Sequence, residues 1–243
     1  MMEFLDTYAI KARLFPALVA IAPALSLFLM TGTLSNPGFP EIITGLTLSV
    51  MFFAAADLAR RAGKKVEARL FRASNGRPLN SELSFEDAAL EEVTKVRYRR
   101  FLAEQVGLFA PTRESEAADP LKAREFYAAC YDYLRVNTYD AAKFNILFRE
   151  NIAYGYVRNL LGLKPYAISI NGVAFLGALG LYIYQPQFAE LSQGKLFVQG
   201  GFALIHMVYL AFAVTERTVL SASKLYARQL TFSCETLIQE TKP

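Results

Sequence analysis

Four stretches of this sequence contain no Asp, Glu, Lys or Arg, and they constrain the fold more than any other feature. They are residues 14–40, 42–56, 165–189 and 196–215. A helix needs about 20 apolar residues to cross the roughly 30 Å of hydrocarbon in a bilayer. The second stretch reaches that length only if its helix continues to Ala59 or starts in the preceding turn. The pattern predicts an all-α membrane protein whose four transmembrane helices form two hairpins.

The first charge-free stretch has a second interpretation, because Lys11 and Arg13 precede it as they would in a signal peptide. The apolar core of a signal peptide is usually only ~7–15 residues long. This stretch is longer, and a second apolar stretch follows it closely. We therefore favour a first transmembrane hairpin.

Basic residues are distributed unevenly around the charge-free stretches. The link "SNPGFPE" between the first and second predicted helices has none, whereas a dense basic group follows the second helix. The members of that group are Arg60, Arg61, Lys64, Lys65, Arg69 and Arg72. Basic residues favour the cytoplasmic side of short flanking segments. The sequence thus predicts a multi-pass protein of the bacterial inner membrane, with both termini and the middle segment in the cytoplasm.

The chain is expected to contain four segments. They are an N-terminal segment with the first hairpin (1–59), a helical cytosolic domain (60–164), the second hairpin (165–215) and a cytosolic C-terminal tail (216–243). A middle segment of this length lies within the usual range of a domain.

Helix boundaries inside the middle segment are predicted from capping residues. Ser84 is expected to cap a helix that stops at Gly107, and Asp119 to cap one that begins with Pro120. A further helix begins near Thr138 and reaches Pro165. Pro165 is expected at the first turn, or at a kink, of the third membrane helix. Such a stiff connection would either transmit motion to that helix or only tether it.

Catalytic signatures are scarce. The sequence lacks the common hydrolase, phosphate-binding and dinucleotide-binding motifs, and Cys130 and Cys234 are too far apart to form a CxxC pair. Acidic residues near Glu86 are explained by the dipole at a helix start, although a metal site made of scattered acids stays open. The prediction is a protein that is not an enzyme and has no cofactor or metal.

Polar residues inside the predicted spans are candidates for a pore. Asn171, Gln199 and His206 lie in the third and fourth charge-free stretches. Polar side chains in hydrocarbon usually face another helix or water. His206 is therefore expected either to bond Gln199 or Asn171 across helices, or to line an aqueous path.

Arginine residues close to aromatic residues suggest a site for an anionic ligand in the middle segment. Guanidinium and aromatic groups together bind phosphates and stack on bases. The candidates are Arg97, Arg99, Arg100, Arg135 and Arg149. The alternative is an ordinary solvated helix face, and "RRAGKK" (60–65) also suits anionic lipid head groups.

The run "NILFRENIAYGYVRNLLGLKP" resembles the membrane effectors of two-gene bacterial anti-phage systems of the Hailong type. Members of that family are paired with a nucleotidyltransferase. The resemblance implies a homo-oligomeric, tetrameric ion channel that is held shut or opened by a nucleotide or oligonucleotide signal.

Two other functional classes are compatible with the same layout. One is a membrane scaffold or sensor that recruits a cytosolic partner and has no pore. The other is a membrane-embedded enzyme that acts on lipid. Conductance would separate a channel from a scaffold, and loss of activity at one cytosolic acid would indicate the enzyme.

Overall fold

The structure is a computed structural model that describes residues 7–30, 41–73, 82–88, 90–184 and 193–241. All regular secondary structure in these ranges is helical, so the predicted all-α class is confirmed. The helices are α1 (Thr7–Met30, with a π-helical part at Ile10–Leu14), α2 (Glu41–Ala73), α3 (Glu92–Val106), α4 (Arg113–Ala118), α5 (Pro120–Asn137), α6 (Asn145–Ile183), α7 (Gln193–Phe212) and α8 (Glu216–Glu240).

Three of the described helices are long and apolar enough to cross a membrane: α1, α6 and α7. The predicted second span falls in the N-terminal half of α2, where the side chains of residues 41–49 lie outside the described part of the chain. The two predicted hairpin links are likewise outside it. Three candidate spans are therefore established, and the arrangement of four helices in two hairpins stays a prediction.

The chain divides into two compact units. The first unit contains residues 1–68 and 155–219, and the second contains 69–154 and 220–243. Of the predicted C-terminal tail (216–243), residues 220–243 are grouped with the second unit. The division falls inside α2, α6 and α8, so each of these helices contributes to both units.

Small residues bring three helices of the first unit into close contact. A Cβ atom on Gly162 would lie 2.5 Å from the carbonyl carbon of Ala62 and 2.6 Å from the nitrogen of Gly63. A Cβ atom on Gly155 would lie 2.9 Å from the Cβ of Ala12. Since only hydrogen fits at these glycines, α6 packs directly on the backbone of α2 and against the side chain of Ala12 in α1.

The core of the second unit is built from α3, α5, α8 and the first turn of α6. Leu102, Leu134 and Leu230 are each 0% exposed at its centre. The hydroxyl groups of Tyr131 and Thr231 lie 3.2 Å apart across α5 and α8. Packing of this kind supplies most of the stability of short helices.

The prediction that Ser84 caps α3 is wrong, because that helix begins at Glu92. Residues 82–88 form turns instead. The Nζ atom of Lys95, a side chain that is 1% exposed, donates to the carbonyls of Ser84 (2.9 Å) and Asp87. These bonds hold the segment away from a helical path, so Glu86 and Asp87 do not lie in the first turn of a helix.

The other predicted helix ends agree better with the structure. Gly107 ends α3 with φ 68°, and Asp119 Oδ1 accepts the N–H of Lys122 at 3.1 Å ahead of Pro120, as predicted. The helix expected near Thr138 begins at Asn145, because Asp140 Oδ1 accepts the N–H of Ala142 at 2.9 Å and stabilises a turn.

Pro165 lies inside one continuous helix, the 39-residue α6, and not at a helix start. Its missing N–H leaves the carbonyl of Leu161 without the usual donor four residues later. Nearby, Lys164 Nζ donates to the carbonyls of Ala211 and Val214 at 2.9 Å each. A cation at the C-terminal end of α7 is favourable for the helix dipole.

Candidate functional site

The structure brings two of the three predicted intramembrane polar residues together. Asn171 is 0% exposed, and its Nδ2 donates to the carbonyl of Ala20 at 3.1 Å and to His206 Nδ1 at 3.0 Å. Of the alternatives expected for His206, the structure has the contact with Asn171 across helices. The Asn171 side chain thus connects α6 to both α1 and α7.

The third residue, Gln199, is also engaged with α1. Its Nε2 donates to the carbonyl of Pro23 at 2.6 Å, and its Oε1 accepts the hydroxyl of Ser26 at 2.9 Å. The side chain is 2% exposed. Gln199 is therefore separate from the Asn171–His206 pair and bonds a different turn of α1.

Two prolines leave carbonyl groups of α1 without their usual helical donors. Pro23 cannot donate to the carbonyl of Val19, and the ring of His206 lies against the backbone of Val19. Pro16 follows the π-helical part and also offers no N–H. There, Asn159 Nδ2 donates to the carbonyl of Ala12 at 2.6 Å.

Asn159 is thus a buried residue that the sequence analysis did not single out. It is 0% exposed, and with Asn171 and Gln199 it gives α1 donors at three levels. The sequence feature that could have predicted its role is an apolar helix with internal prolines, whose free carbonyls need donors, together with amide residues elsewhere in the chain. Together these three bonds fix the register of α1 against α6 and α7.

Among the predicted ligand-binding arginines, Arg99 is buried and bonded to other parts of the protein. It is 3% exposed, and its guanidinium lies 3.8 Å from the centre of the Phe85 ring. It donates to the carbonyls of Leu83 (3.3 Å) and Pro111, and it lies 3.7 Å from Glu116. Arg99 therefore holds the turns around α3 in place.

The remaining four arginines are at least partly exposed. Arg97 forms an ion pair with Glu235, and Arg135 lies 3.5 Å from Asp132. Arg100 and Arg149 have exposed side chains. Exposed pairs are weak, so Arg97 and Arg135 could exchange their carboxylate partners for a ligand phosphate at low cost.

A groove of about 730 Å³ in the second unit contains two of the predicted arginines, Arg99 and Arg100. Arg97, Arg135 and Arg149 are not among its lining residues. The sequence analysis missed Arg113, Phe85 and Phe109, which also line it. Arg113 lies 4.9 Å from the centre of the Phe85 ring and 3.6 Å from Glu92. Phe109 is 100% exposed.

The lining of this groove combines guanidinium groups with exposed aromatic and aliphatic surface. Its volume matches the range of roughly 300–1,000 Å³ that is usual for small-molecule sites. Glu104 and Glu114 are also at its edge, so its charge is mixed. The groove can offer a cation to a phosphate and Phe109 to a planar ring.

Burial governs the titration of several groups in the second unit. Desolvation raises the pKa of Glu82 to about 7, although Arg228, 3.9 Å away, acts in the opposite direction. Burial likewise raises the pKa of Cys130 to about 12 and holds that of Cys234 well above its ordinary value. Both cysteines therefore remain thiols at neutral pH and are poor nucleophiles.

Comparisons with known proteins found no matching family model, no similar curated protein and no similar solved structure.

Proposed function

We propose that this chain is a bacterial membrane channel that assembles from identical subunits and is gated by an anionic ligand, as an effector of anti-phage defence. The observation that carries the proposal is the continuity of α6. This single helix contains a candidate span and also contributes Leu147 to the core of the second unit. The resemblance of residues 145–165 to effectors of the Hailong type supplies the biological context.

In this proposal the pore forms between subunits. Asn171 and Gln199 are buried and bonded to α1, so a single copy offers no evident polar route formed by these side chains. Homo-oligomers usually have closed symmetry around an axis. A ring, tetrameric by the resemblance, would place one face of α6 or α7 along that axis.

The ligand is proposed to be a nucleotide or short oligonucleotide that binds the groove of the second unit. Arg100 and Arg113 would contact phosphate, and Phe109 would stack on a base. Arg99 would hold the turns that line the groove, through its bonds to the carbonyls of Leu83 and Pro111. Hydrogen bonds to charged groups contribute about 1.5–3 kcal/mol each. Two or three of them, made in only one state, approach the roughly 5.5 kcal/mol needed to move a gate from mostly shut to mostly open.

The gating proposal is tested with purified protein and a mixture of short single-stranded oligonucleotides. R100Q together with R113Q should weaken binding and shift the ligand concentration that changes conductance. K122Q together with R124Q is the matched control, since both side chains are exposed on α5. Equal binding by all three proteins would contradict the groove as the ligand site. R99Q is unsuitable, because it removes a buried guanidinium that bonds the carbonyls of Leu83 and Pro111, and so destabilises the fold.

A second candidate is a membrane scaffold without a pore. It is favoured by the same burial of Asn171 and Gln199, because their polar groups already serve packing within one subunit. A scaffold would insert into the membrane and form oligomers, yet show no conductance under any ligand condition.

A further inference from the structure

One part of α2 has a strictly two-sided surface. Ala59, Gly63 and Val66 are buried, whereas Arg60, Arg61, Lys64 and Lys65 are all exposed. The buried positions recur every three or four residues, which is the spacing of one helix face. The four cations therefore share the opposite side of the helix, which we call the basic face of α2 (Arg60, Arg61, Lys64 and Lys65).

The orientation of this face is fixed by the packing behind it. Asn159 occupies the space where a Cβ atom of Gly63 would lie, and a Cβ atom on Gly162 would lie 2.5 Å from the backbone of Ala62. Rotation of α2 about its axis would replace Gly63 with a residue that carries a side chain, for which there is no room. The basic face therefore cannot turn toward the protein interior.

Neighbouring helices place this face close to the edge of the hydrocarbon. Behind this face, α2 contacts α6 at Gly162 and Asn159, which precede Pro165 by three and six residues. At a rise of about 1.5 Å per residue, they lie roughly 5 and 9 Å before the charge-free stretch. On α1, Asn159 bonds Ala12, two residues before the charge-free stretch that starts at Leu14. The positions on α6 and on α1 thus both place this part of α2 near the edge of the hydrocarbon. This placement does not require α2 itself to span the membrane.

The acidic residues near the face do not cancel its charge. Asp57 pairs with Arg61 at 2.7 Å, and Glu67 pairs with Arg158 of α6 at 2.6 Å. Arg60, Lys64 and Lys65 are exposed and form no ion pair within the part of the chain that the structure describes. Cations within one Debye length of a bilayer, roughly 8–10 Å, are attracted to anionic lipids.

We propose that the basic face of α2 is a binding surface for anionic phospholipid head groups of the membrane in which the first unit is embedded. The occupant is a lipid because the surface is fixed at the level where head groups lie. The site is independent of conductance and of the groove in the second unit. It would retain a shell of anionic lipid around the subunit.

The test uses the full chain reconstituted in phosphatidylcholine vesicles that contain trace spin-labelled phosphatidylglycerol or phosphatidylcholine. Electron paramagnetic resonance measures the fraction of each label that the protein immobilises. The wild type should prefer phosphatidylglycerol several-fold, R60Q/K64Q/K65Q should lose most of that preference, and K122Q/R124Q/K224Q should keep it. Circular dichroism confirms that both triple variants retain the wild-type helix content.

Four results would overturn the proposal. One is the absence of phosphatidylglycerol preference in the wild type, and another is an unchanged preference in R60Q/K64Q/K65Q. The third distinguishes a nucleic-acid surface: the triple variant would lose binding of a single-stranded oligonucleotide in detergent but keep its lipid preference. A preference that inorganic phosphate abolishes at millimolar concentration would likewise indicate a site for free phosphate.

Discussion

Gly162 is the residue at which the packing of the first unit is most restrictive. A methyl group there would meet backbone atoms of α2 at 2.5–2.7 Å, and backbone cannot move aside as a flexible side chain can. Overpacking of this kind costs about 1–3 kcal/mol. Gly162→Ala should therefore lower the thermal unfolding midpoint, measured by circular dichroism in one detergent.

Gly172→Ala is the matched control in the same helix. Nothing lies within 4 Å of a Cβ atom placed there, and alanine favours a helix over glycine by about 0.8–1 kcal/mol. This variant should be as stable as the wild type or more so. Equal midpoints for the Gly162 and Gly172 variants would contradict the close approach of α6 and α2.

Glu82 gives the second unit a pH-dependent stability. Its pKa rises from 4.5 in the unfolded chain to about 7 in the fold, chiefly because the carboxyl group is desolvated. Between these values the folded state binds more protons, so the free energy of unfolding falls as pH rises and levels off above about 7. The loss amounts to about 3 kcal/mol.

Glu82→Gln should remove this component and leave the variant more stable than the wild type at pH 8. The comparison is made by thermal unfolding of both proteins at pH 5 and pH 8, so that other titrating groups cancel. An identical pH dependence in the two proteins would show that Glu82 ionises freely.

At the scale of elements, α1 is held by donors from outside its own backbone. Asn171→Leu removes the bonds to Ala20 and His206 and should cost about 0.6–2 kcal/mol, the range for hydrogen bonds between membrane helices. The control is Ser169→Ala, since this exposed hydroxyl bonds only the carbonyl of Pro165 in its own helix. If Asn171→Leu instead altered ion selectivity with no loss of stability, Asn171 would line a pore.

Sequence patterns predicted these elements unevenly, for physical reasons. Absence of charge identified α1, α6 and α7, because a long apolar helix requires an apolar solvent. The prediction that Ser84 caps a helix was wrong because its hydroxyl donates to Glu116, and the carbonyls of Ser84 and Asp87 accept from Lys95. No local sequence pattern encodes these contacts. The groove residues Phe85 and Arg113 were missed for the same reason: tertiary packing alone brings them together.

For the whole molecule, the distribution of basic residues predicts that both termini and residues 60–164 face the cytoplasm. Single cysteines at positions 35 and 193, in a background lacking Cys130 and Cys234, should react with an impermeant maleimide added to intact cells. A cysteine at position 115 should react only after the cells are opened. Labelling of position 115 in intact cells would contradict this topology; position 35 lies outside the described residues.

Assembly is the second property of the whole molecule. A pore between subunits requires a closed oligomer, and native mass spectrometry in a mild detergent should detect it, with four copies the expected number. Monomers alone, under conditions that keep the helix content intact, would exclude a pore formed in this way.

Conductance across a planar bilayer tests the proposed channel most directly. Purified protein inserted at low density should produce discrete current steps, and binding of the ligand should change the fraction of time that the steps persist. Inserted and oligomeric protein that yields no discrete steps, with or without oligonucleotide, would contradict the channel and leave the scaffold as the better account.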